Sequence, residues 1–338
     1  MRTVLVTGGA GFIGSHLVDH LLEDGASVRV LDNLSTGSLQ NLQAAAQRHA
    51  RVSGGSGAPN GSRLEVIIGD IRDRELLRTA VRNVKYVFHL AALPTSAVSV
   101  TDQGEIHAVN VEGTLNVLQS ALTEGVWRLV IGSSASVYGT PERIPLAEDT
   151  PARPATLFAA SKVAAETYAH AFHLRHQLDT VTLRYFNVYG PRQKATGEGA
   201  LIARLLEAVR QGRSFSEEDD RTADDFTYID DAIAATLAAA RAPRAAGQTI
   251  NVGSGEMTSI SDVLGIVADL LRTVPATGFP RNWDAEPRRV CAEITRAAQL
   301  LDVIPRVSLI AGLARTIQFF NEPEYDELPA LVRTTPDD

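Results

Sequence analysis

The sequence has little of what marks the specialised protein classes. Its 338 residues include one cysteine, Cys291, which excludes an intrachain disulfide and a cysteine-built zinc site and suits a reducing compartment. No metal site is assigned. No apolar run approaches the ~20 residues that span a bilayer. A strand pattern begins at Thr3-Val4 and leaves no room for a signal peptide, so a cytoplasmic protein that meets no membrane is expected. Positive charge is in deficit, with Lys+Arg 32 against Asp+Glu 40 and a net charge of -8. Without a long basic block, a nucleic-acid-coating role is excluded. Internal repeats are missing. What remains is 44% hydrophobic and 21% charged residues, a globular composition whose length suits about two domains or one large α/β unit.

Apolar runs of strand length alternate with longer amphipathic stretches, which predicts an α/β fold with a Rossmann-type doubly wound parallel sheet. Strands are expected at Thr3–Val6, Ser27–Leu31, Leu64–Ile68, Tyr86–Leu90, Leu129–Ile131 and Val181–Arg184. Phe12–Glu23, His107–Thr123 and Ser161–Arg175 carry apolar stripes at helical spacing. The Gly/Ser-rich tract Val52–Ser62 is expected to be an inserted surface loop. After Gly190-Pro191 the alternation weakens. Helices at Gly199–Gln211, Asp230–Ala242, Ile260–Leu271 and Leu309–Phe320, with a short strand at Thr249–Val252, predict a smaller mixed α/β substrate portion. The expected division is 1–190 for the dinucleotide domain and 191–328 for the substrate portion, with chain crossing back to the first, and a frayed tail from Pro329 to Asp338.

The first strand runs into Thr7-Gly8-Gly9-Ala10-Gly11-Phe12-Ile13-Gly14, three glycines at a spacing of three before a helix. Such a turn tolerates unusual backbone angles, lets a pyrophosphate approach bare backbone, and packs helix closely on strand. Gly8, Gly11, Phe12, Ile13 and Gly14 are therefore cofactor candidates. Asp32 ends the second strand, where a carboxylate can hydrogen-bond a ribose diol. The same charge would repel a 2′-phosphate, and no arginine immediately follows it, so NAD is expected rather than NADP.

The motifs TGGAGFIGSHL, LDNLSTG, GDIRD, HLAAL, NVEGTLNVL, SSASVYG, ASKVAAE, RYFNVYGP, DFTYIDD and NVGSG span about Arg2 to Phe320. In these the chain resembles the extended short-chain dehydrogenase/reductase family and, within it, the sugar-nucleotide epimerases and dehydratases. The resemblance implies that Asn33, Asp70, Ile71, Ala91 and Ala92 lie along NAD and that Asn110 sits near its nicotinamide end. It also implies a homodimer built on the helices near 107–123 and 161–175.

Enzymes of this family oxidise a sugar carbon with NAD while a tyrosine takes the hydroxyl proton, then return the hydride once the ketone has been used. A lysine one helical turn later lowers the phenol pKa. Here Ser134 matches the family serine and Lys162 the lysine, but the tyrosine position is Phe158. A phenyl ring moves no proton. Three explanations stand: a tyrosine replaced to trap a complex, an enzyme that passes its proton through Ser134, water or another group, or an inactive relative. Tyr138, Tyr185 and Tyr189 are spare phenols that also serve as packing. Ala135 and Ser136 stand where hexose dehydratases carry an acidic pair, which favours epimerisation or a dehydration that uses different groups.

On the substrate side, the resemblance points to Ser96, Ser134, Ser136 and Asn187, the last matching a residue that bonds a nucleotide-sugar phosphate. Where the family places diphosphate-binding arginines, this chain has Asp224 and, before Glu286, Trp283. The acidic run Glu217–Asp220 lies close in sequence, while Arg221, Arg281, Arg288 and Arg289 are available as shifted replacements. These departures favour an NAD-dependent dehydration of a nucleoside without a diphosphate. A nucleoside-diphosphate-hexose 4-epimerase and an NAD-binding pseudoenzyme are the alternatives. Either enzyme takes a small-molecule nucleoside or nucleotide-sugar substrate.

Overall fold

The computed structural model describes residues 3–49, 63–99, 102–196, 200–210, 223–272 and 289–321. The Val52–Ser62 tract, the Glu217–Asp220 run, Arg221, Arg281, Trp283, Glu286, Arg288 and the tail from Pro329 lie outside the described residues. In chain order the elements are β1 (Thr3–Thr7), α1 (Phe12–Glu23), β2 (Ser27–Asp32), α2 (Gln43–His49), β3 (Leu64–Ile68), α3 (Arg74–Val81) and β4 (Tyr86–His89). A helical stretch follows as α4 (Gly104–His107), a π-helical turn (Ala108–Gly113) and α5 (Thr114–Thr123). Then come β5 (Arg128–Ser134), α6 (Leu157–His176), β6 (Thr180–Tyr185), β7 (Val188–Tyr189), α7 (Leu201–Arg210), β8 (Ala223–Asp224), β9 (Thr227–Tyr228), α8 (Ile229–Arg241), β10 (Thr249–Val252), β11 (Thr258–Ser259), α9 (Ile260–Leu271), α10 (Thr295–Leu301) and α11 (Leu309–Phe320).

Seven strands form one sheet in the order β10-β6-β5-β4-β1-β2-β3, every neighbouring pair parallel. A sheet covered on both faces needs apolar side chains in both directions. Val4 and Val6 of β1 enter one core cluster and Leu5 the other; Val130 of β5 likewise opposes Leu129 and Ile131. One face is covered by α1 and α8, the other by α3, α5 and α6. Strand order reverses between β1 and β4, which opens a crevice outside the carboxyl ends of those strands. Two small two-stranded sheets, β8 with β11 and β7 with β9, sit beyond it.

The structure moves several sequence expectations. α6 starts at Leu157 rather than Ser161, because Thr156 caps it: its hydroxyl accepts from the Ala159 amide at 3.1 Å. Lys162 consequently lies in the second turn. The helix expected from His107 starts at Gly104 and is interrupted by the π turn. α2, α3 and α10 are additions of seven or eight residues each, too short for a stripe to show; α3 carries a cap at Asp73, which accepts from Glu75 and Leu76. β4 ends at His89, one residue early. Residues past 190 also complete the large sheet, since β10 pairs with β6 from Thr249↔Thr182 to Val252↔Tyr185.

His89 ties these layers together. It is buried, with Nδ1 2.8 Å from Thr7 Oγ1 and Nε2 2.9 Å from Thr114 Oγ1, and Thr114 donates to the Asn110 carbonyl at 2.6 Å. Burial, then the Lys162 charge, holds its pKa down at about 3. His16 on α1 is lowered to about 4 by burial and by Arg192. Both imidazoles stay neutral in the fold while their unfolded counterparts protonate below about pH 6.5. The unfolded chain therefore binds more protons on acidification, so this stability is full above pH 6.5 and is lost as pH falls towards 4. Urea unfolding at pH 7 and pH 5 should show a stability loss that is smaller by about 2 kcal/mol in a His89→Gln variant; equal losses would show that His89 does not carry the effect.

Candidate active site

The crevice is a groove of about 670 Å³. Its walls come from the carboxyl ends of the strands: Gly8 to Gly14 after β1, Asp32 and Asn33 after β2, Gly69 to Ile71 after β3, Leu90 to Pro94 after β4, Gly132 to Ser136 at β5, and Asn187 after β6. Gly8 has φ +71, and a Cβ there would stand 2.6 Å from the Ala91 amide nitrogen. A Cβ on Gly14 would overlap the Gly8 carbonyl oxygen. Only glycine allows α1 to lie this close to β1. No side chain caps the amides at the start of α1, which leaves first-turn N–H groups for an anion.

Asp32 is held by its neighbours: Oδ2 accepts from the Ala10 amide at 2.9 Å and Oδ1 from Leu34 at 2.8 Å. Burial raises its pKa against the pull of those amides and of the Lys194 charge. Asn33 donates to Asp70 at 2.9 Å. Burial raises the Asp70 pKa, but hydrogen bonds from Arg72 outweigh it and hold the carboxyl below its ordinary value. A glycine cradle at a helix N-terminus, followed by a fixed carboxylate, fits the pyrophosphate and adenosine ribose of a dinucleotide.

At the other end Ser134, Ser136, Phe158 and Lys162 line the same groove. Ser134 Oγ accepts from the Ser136 amide at 3.1 Å and from Ser136 Oγ at 2.9 Å. With both lone-pair positions taken, its own O–H is left to donate. Lys162 donates to the Gly132 carbonyl at 2.9 Å, with Nζ 5.5 Å from the centre of the Phe158 ring. The spare phenols are committed elsewhere. Tyr138 donates to Asn251 and Tyr189 to the Leu309 carbonyl, while Tyr185 is bonded to Thr236; burial raises the pKa of all three.

Ser96, Ala91, Ala92, Asp70 and Ile71 also face the groove. Asn110 does not. It is 2% exposed behind the wall, where its Oδ1 accepts from the Leu93 amide and its Nδ2 donates to the Leu93 carbonyl and to Ser161 Oγ. It lies in the π-helical turn and braces the wall against α6. Asp224 differs in a similar way. It is 4% exposed, accepts from Asn187 Nδ2 at 2.8 Å and from the Asp225 amide at 3.0 Å, and does not line the groove. Asn187 Oδ1 is thereby left buried with no hydrogen-bond partner among the described residues. Of the possible replacement arginines, Arg289 is described: it is exposed and its backbone bridges to Ala223, next to Asp224.

Two features had no clear sequence signal. Residues 192–194 and Thr196 line the cofactor half of the groove although they follow β7. Glu166, one turn beyond Lys162, accepts from Ser133 Oγ at 2.5 Å and from Arg184 Nη2 at 2.7 Å, which locks α6 to the ends of β5 and β6. Among the described residues no helix is long and apolar enough to cross a membrane, and no group of three metal-ligating side chains occurs.

The model of the NAD dependent epimerase/dehydratase family matches residues 4–253. A UDP-glucose 4-epimerase of Mycolicibacterium smegmatis is 38% identical over 95% of this chain and 98% of its own length. The solved UDP-glucose 4-epimerase of Thermotoga maritima, crystallised with UDP-glucose, is 31% identical, with a TM-score of 0.82, covering 94% of this chain and 98% of that one. A tyrosine-to-phenylalanine mutant of UDP-glucuronic acid 4-epimerase from Bacillus cereus, bound to a 4-deoxy-4-fluoro-glucuronic acid UDP conjugate and NAD, is 29% identical with the same TM-score and coverage of 94% and 98%. Glycine cradle, ribose carboxylate, serine, lysine and sheet order thus converge with whole-length likeness, and the chain belongs to the NAD-dependent epimerase/dehydratase family, an enzyme of the extended short-chain dehydrogenase/reductase group.

Proposed function

We propose that the protein inverts C4 of the hexose in a nucleoside-diphosphate sugar by transient oxidation to the 4-ketone. The observation that carries this reading is the burial of Asp224 against Asn187. Asp224 and Trp283 had favoured a nucleoside without a diphosphate. The Asp224 carboxylate, however, is buried, accepts from Asn187 Nδ2 and the Asp225 amide, and is not among the residues lining the groove. Arg289, exposed and with its backbone beside Ala223, is the candidate cation for the diphosphate among the described residues. UDP-sugar epimerases related over nearly their whole length support the same choice, and Ala135 and Ser136 lack the acidic side chains that dehydration would use.

In this reading Gly8, Gly11, Phe12, Ile13 and Gly14 hold the pyrophosphate of NAD, Asp32 and Asn33 the adenosine ribose, and Asp70 and Ile71 the adenine edge. Ala91 and Ala92 form the floor towards Ser134. NAD, when bound, supplies a reversible oxidant for the sugar carbinol. Ser134 donates its free O–H to the reacting sugar oxygen, and Ser136 continues that hydrogen-bond line. Lys162 places a positive charge where negative charge grows on that oxygen. Asn187 Oδ1 accepts from a substrate hydroxyl. Phe158 fills the phenol position without moving a proton, so the hydroxyl proton released on oxidation passes to solvent and is taken back on re-reduction, while Ser134 only donates a hydrogen bond; the site forgoes general-base assistance worth about 10²–10⁴ in rate. The mutant neighbour, which holds both a UDP-sugar and NAD, supports binding without the phenol.

The exposed Leu122 on α5 and the exposed Leu157, Tyr168 and Leu174 on α6 support a homodimer through those helices. Light scattering should give twice the chain mass, and a Tyr168→Glu/Leu174→Glu variant should be monomeric; an unaltered mass in the variant places any dimer elsewhere.

Product identification tests the activity itself. Incubated with UDP-glucose, UDP-galactose and UDP-glucuronic acid, the protein should give the 4-epimer of at least one and leave uridine unchanged. Phe158→Tyr should raise kcat by about 100-fold or more with little change in KM. Lys162→Ala should abolish turnover, and Arg289→Ala should raise KM. A dehydrated nucleoside, or epimerisation at full rate by Lys162→Ala, would overturn the assignment.

A further inference from the structure

The segment between Pro191 and Thr196 follows β7, on the substrate side of the chain, yet crosses back over the cofactor half of the groove. Two contacts pin its start to α1: His16 Nε2 meets the Pro191 carbonyl at 2.9 Å, and Arg192 Nη2 donates to Asp19 at 2.7 Å. Further along, Lys194 Nζ donates to the Thr36 carbonyl at 2.7 Å in the loop after β2. The strap therefore runs from the first turns of α1 to the loop that follows Asp32, and both cations line the groove on the way.

Arg192 is not satisfied by these contacts. Its Nη1 is buried and has no hydrogen-bond partner among the described residues. Its side chain is only 16% exposed, and a guanidinium N–H group hidden from water costs stability unless something accepts from it. His16 beside it is kept neutral, partly by the Arg192 charge, so α1 offers no second cation there. The groove that Arg192 lines also includes Gly11, Phe12 and Ile13 at the start of α1, whose first amides are uncapped. A group with several acceptor oxygens and negative charge, placed against those amides, would complete the guanidinium as well. Lys194 acts at the other end: it is exposed, and its charge favours the ionised form of Asp32, the carboxylate facing the ribose.

We propose that residues 191–196 form a cationic clamp on the dinucleotide, with Arg192 Nη1 donating to the pyrophosphate and Lys194 standing over the adenosine ribose. This rests on the cofactor placement given above and adds two ligating residues to it. The clamp explains how a carboxylate-lined ribose site retains an anionic dinucleotide through a full turnover, in which the same molecule must serve twice. It also modifies the selectivity argument from Asp32. A lysine reaching the same ribose offsets part of that carboxylate's repulsion of a 2′-phosphate, so Lys194 weakens the discrimination that Asp32 creates.

Calorimetry on the whole chain without sugar substrate separates these effects from catalysis. Arg192→Gln should bind NAD and ADP-ribose about 10- to 100-fold more weakly while adenosine binding stays within about threefold. Arg192→Lys should recover part of the loss. Asp19→Asn breaks the same ion pair but keeps the guanidinium, so its NAD affinity should remain within about threefold of the unaltered chain. Lys194→Ala should raise the ratio of NAD to NADP affinity. Equal weakening of NAD and adenosine by Arg192→Gln, or an Asp19→Asn loss as large as that of Arg192→Gln, would make Arg192 a structural residue and overturn the clamp. These results hold whether or not any sugar is epimerised, so epimerase failure and clamp failure are read separately.

Discussion

With only hydrogen on its Cα, Gly14 lets α1 settle against the Gly8 carbonyl, where any Cβ would overlap backbone. Much of the site's geometry follows from that contact. Gly8 turns with φ +71 and brings its backbone against Ala91 after β4, closing the switch point from below. Ala10 is placed to donate to Asp32, which fixes the end of β2, and the Ala10 carbonyl takes hydrogen bonds from Ser38 and Asn41, which fix the loop beyond it. A larger residue at either glycine would move three strand ends together, because the atoms it meets belong to the backbone and have no rotamer to change.

The reactive half is positioned by a different device, a buried polar network. Glu166 joins Ser133 to Arg184, Arg184 reaches Tyr138 and the Glu148 carbonyl, and Tyr138 reaches Asn251 within β10. Such a network is costly to leave half-made, and here each member has a partner. Its effect is to hold Lys162 and Ser134 at fixed separation although they lie on different elements. The same rigidity gives Phe158 its meaning: the ring sits in a well-formed site that retains the lysine, the serine and the cofactor cradle. A decayed site would not need them.

The sheet and the cofactor turn were legible in the sequence because both are local. Val4, Leu5 and Val6 announce a strand buried on two faces, and three glycines at fixed spacing announce the turn that follows. The matching of Ser134 and Lys162 was equally direct. Less legible were features made by distant residues. In sequence Asp224 reads as a carboxylate set against a diphosphate, whereas in the fold it is buried against Asn187. Asn110, expected near the nicotinamide end of the cofactor, lies in a π-helical turn and is bonded to Leu93 and Ser161, and such a turn leaves no trace in apolar spacing. Arg192 and Lys194 reach α1 and the β2 loop from more than 150 positions away, and no periodicity encodes that return.

The central claim is that one sugar carbon is oxidised and then reduced again within a single binding event. The most direct test is turnover of the UDP-sugar that the protein epimerises, carrying deuterium at C4, with the product analysed by mass spectrometry and NMR. The account predicts a 4-epimer that keeps its deuterium at C4, with none released to water. A product carrying protium at C4, or deuterium recovered in the solvent, would contradict it.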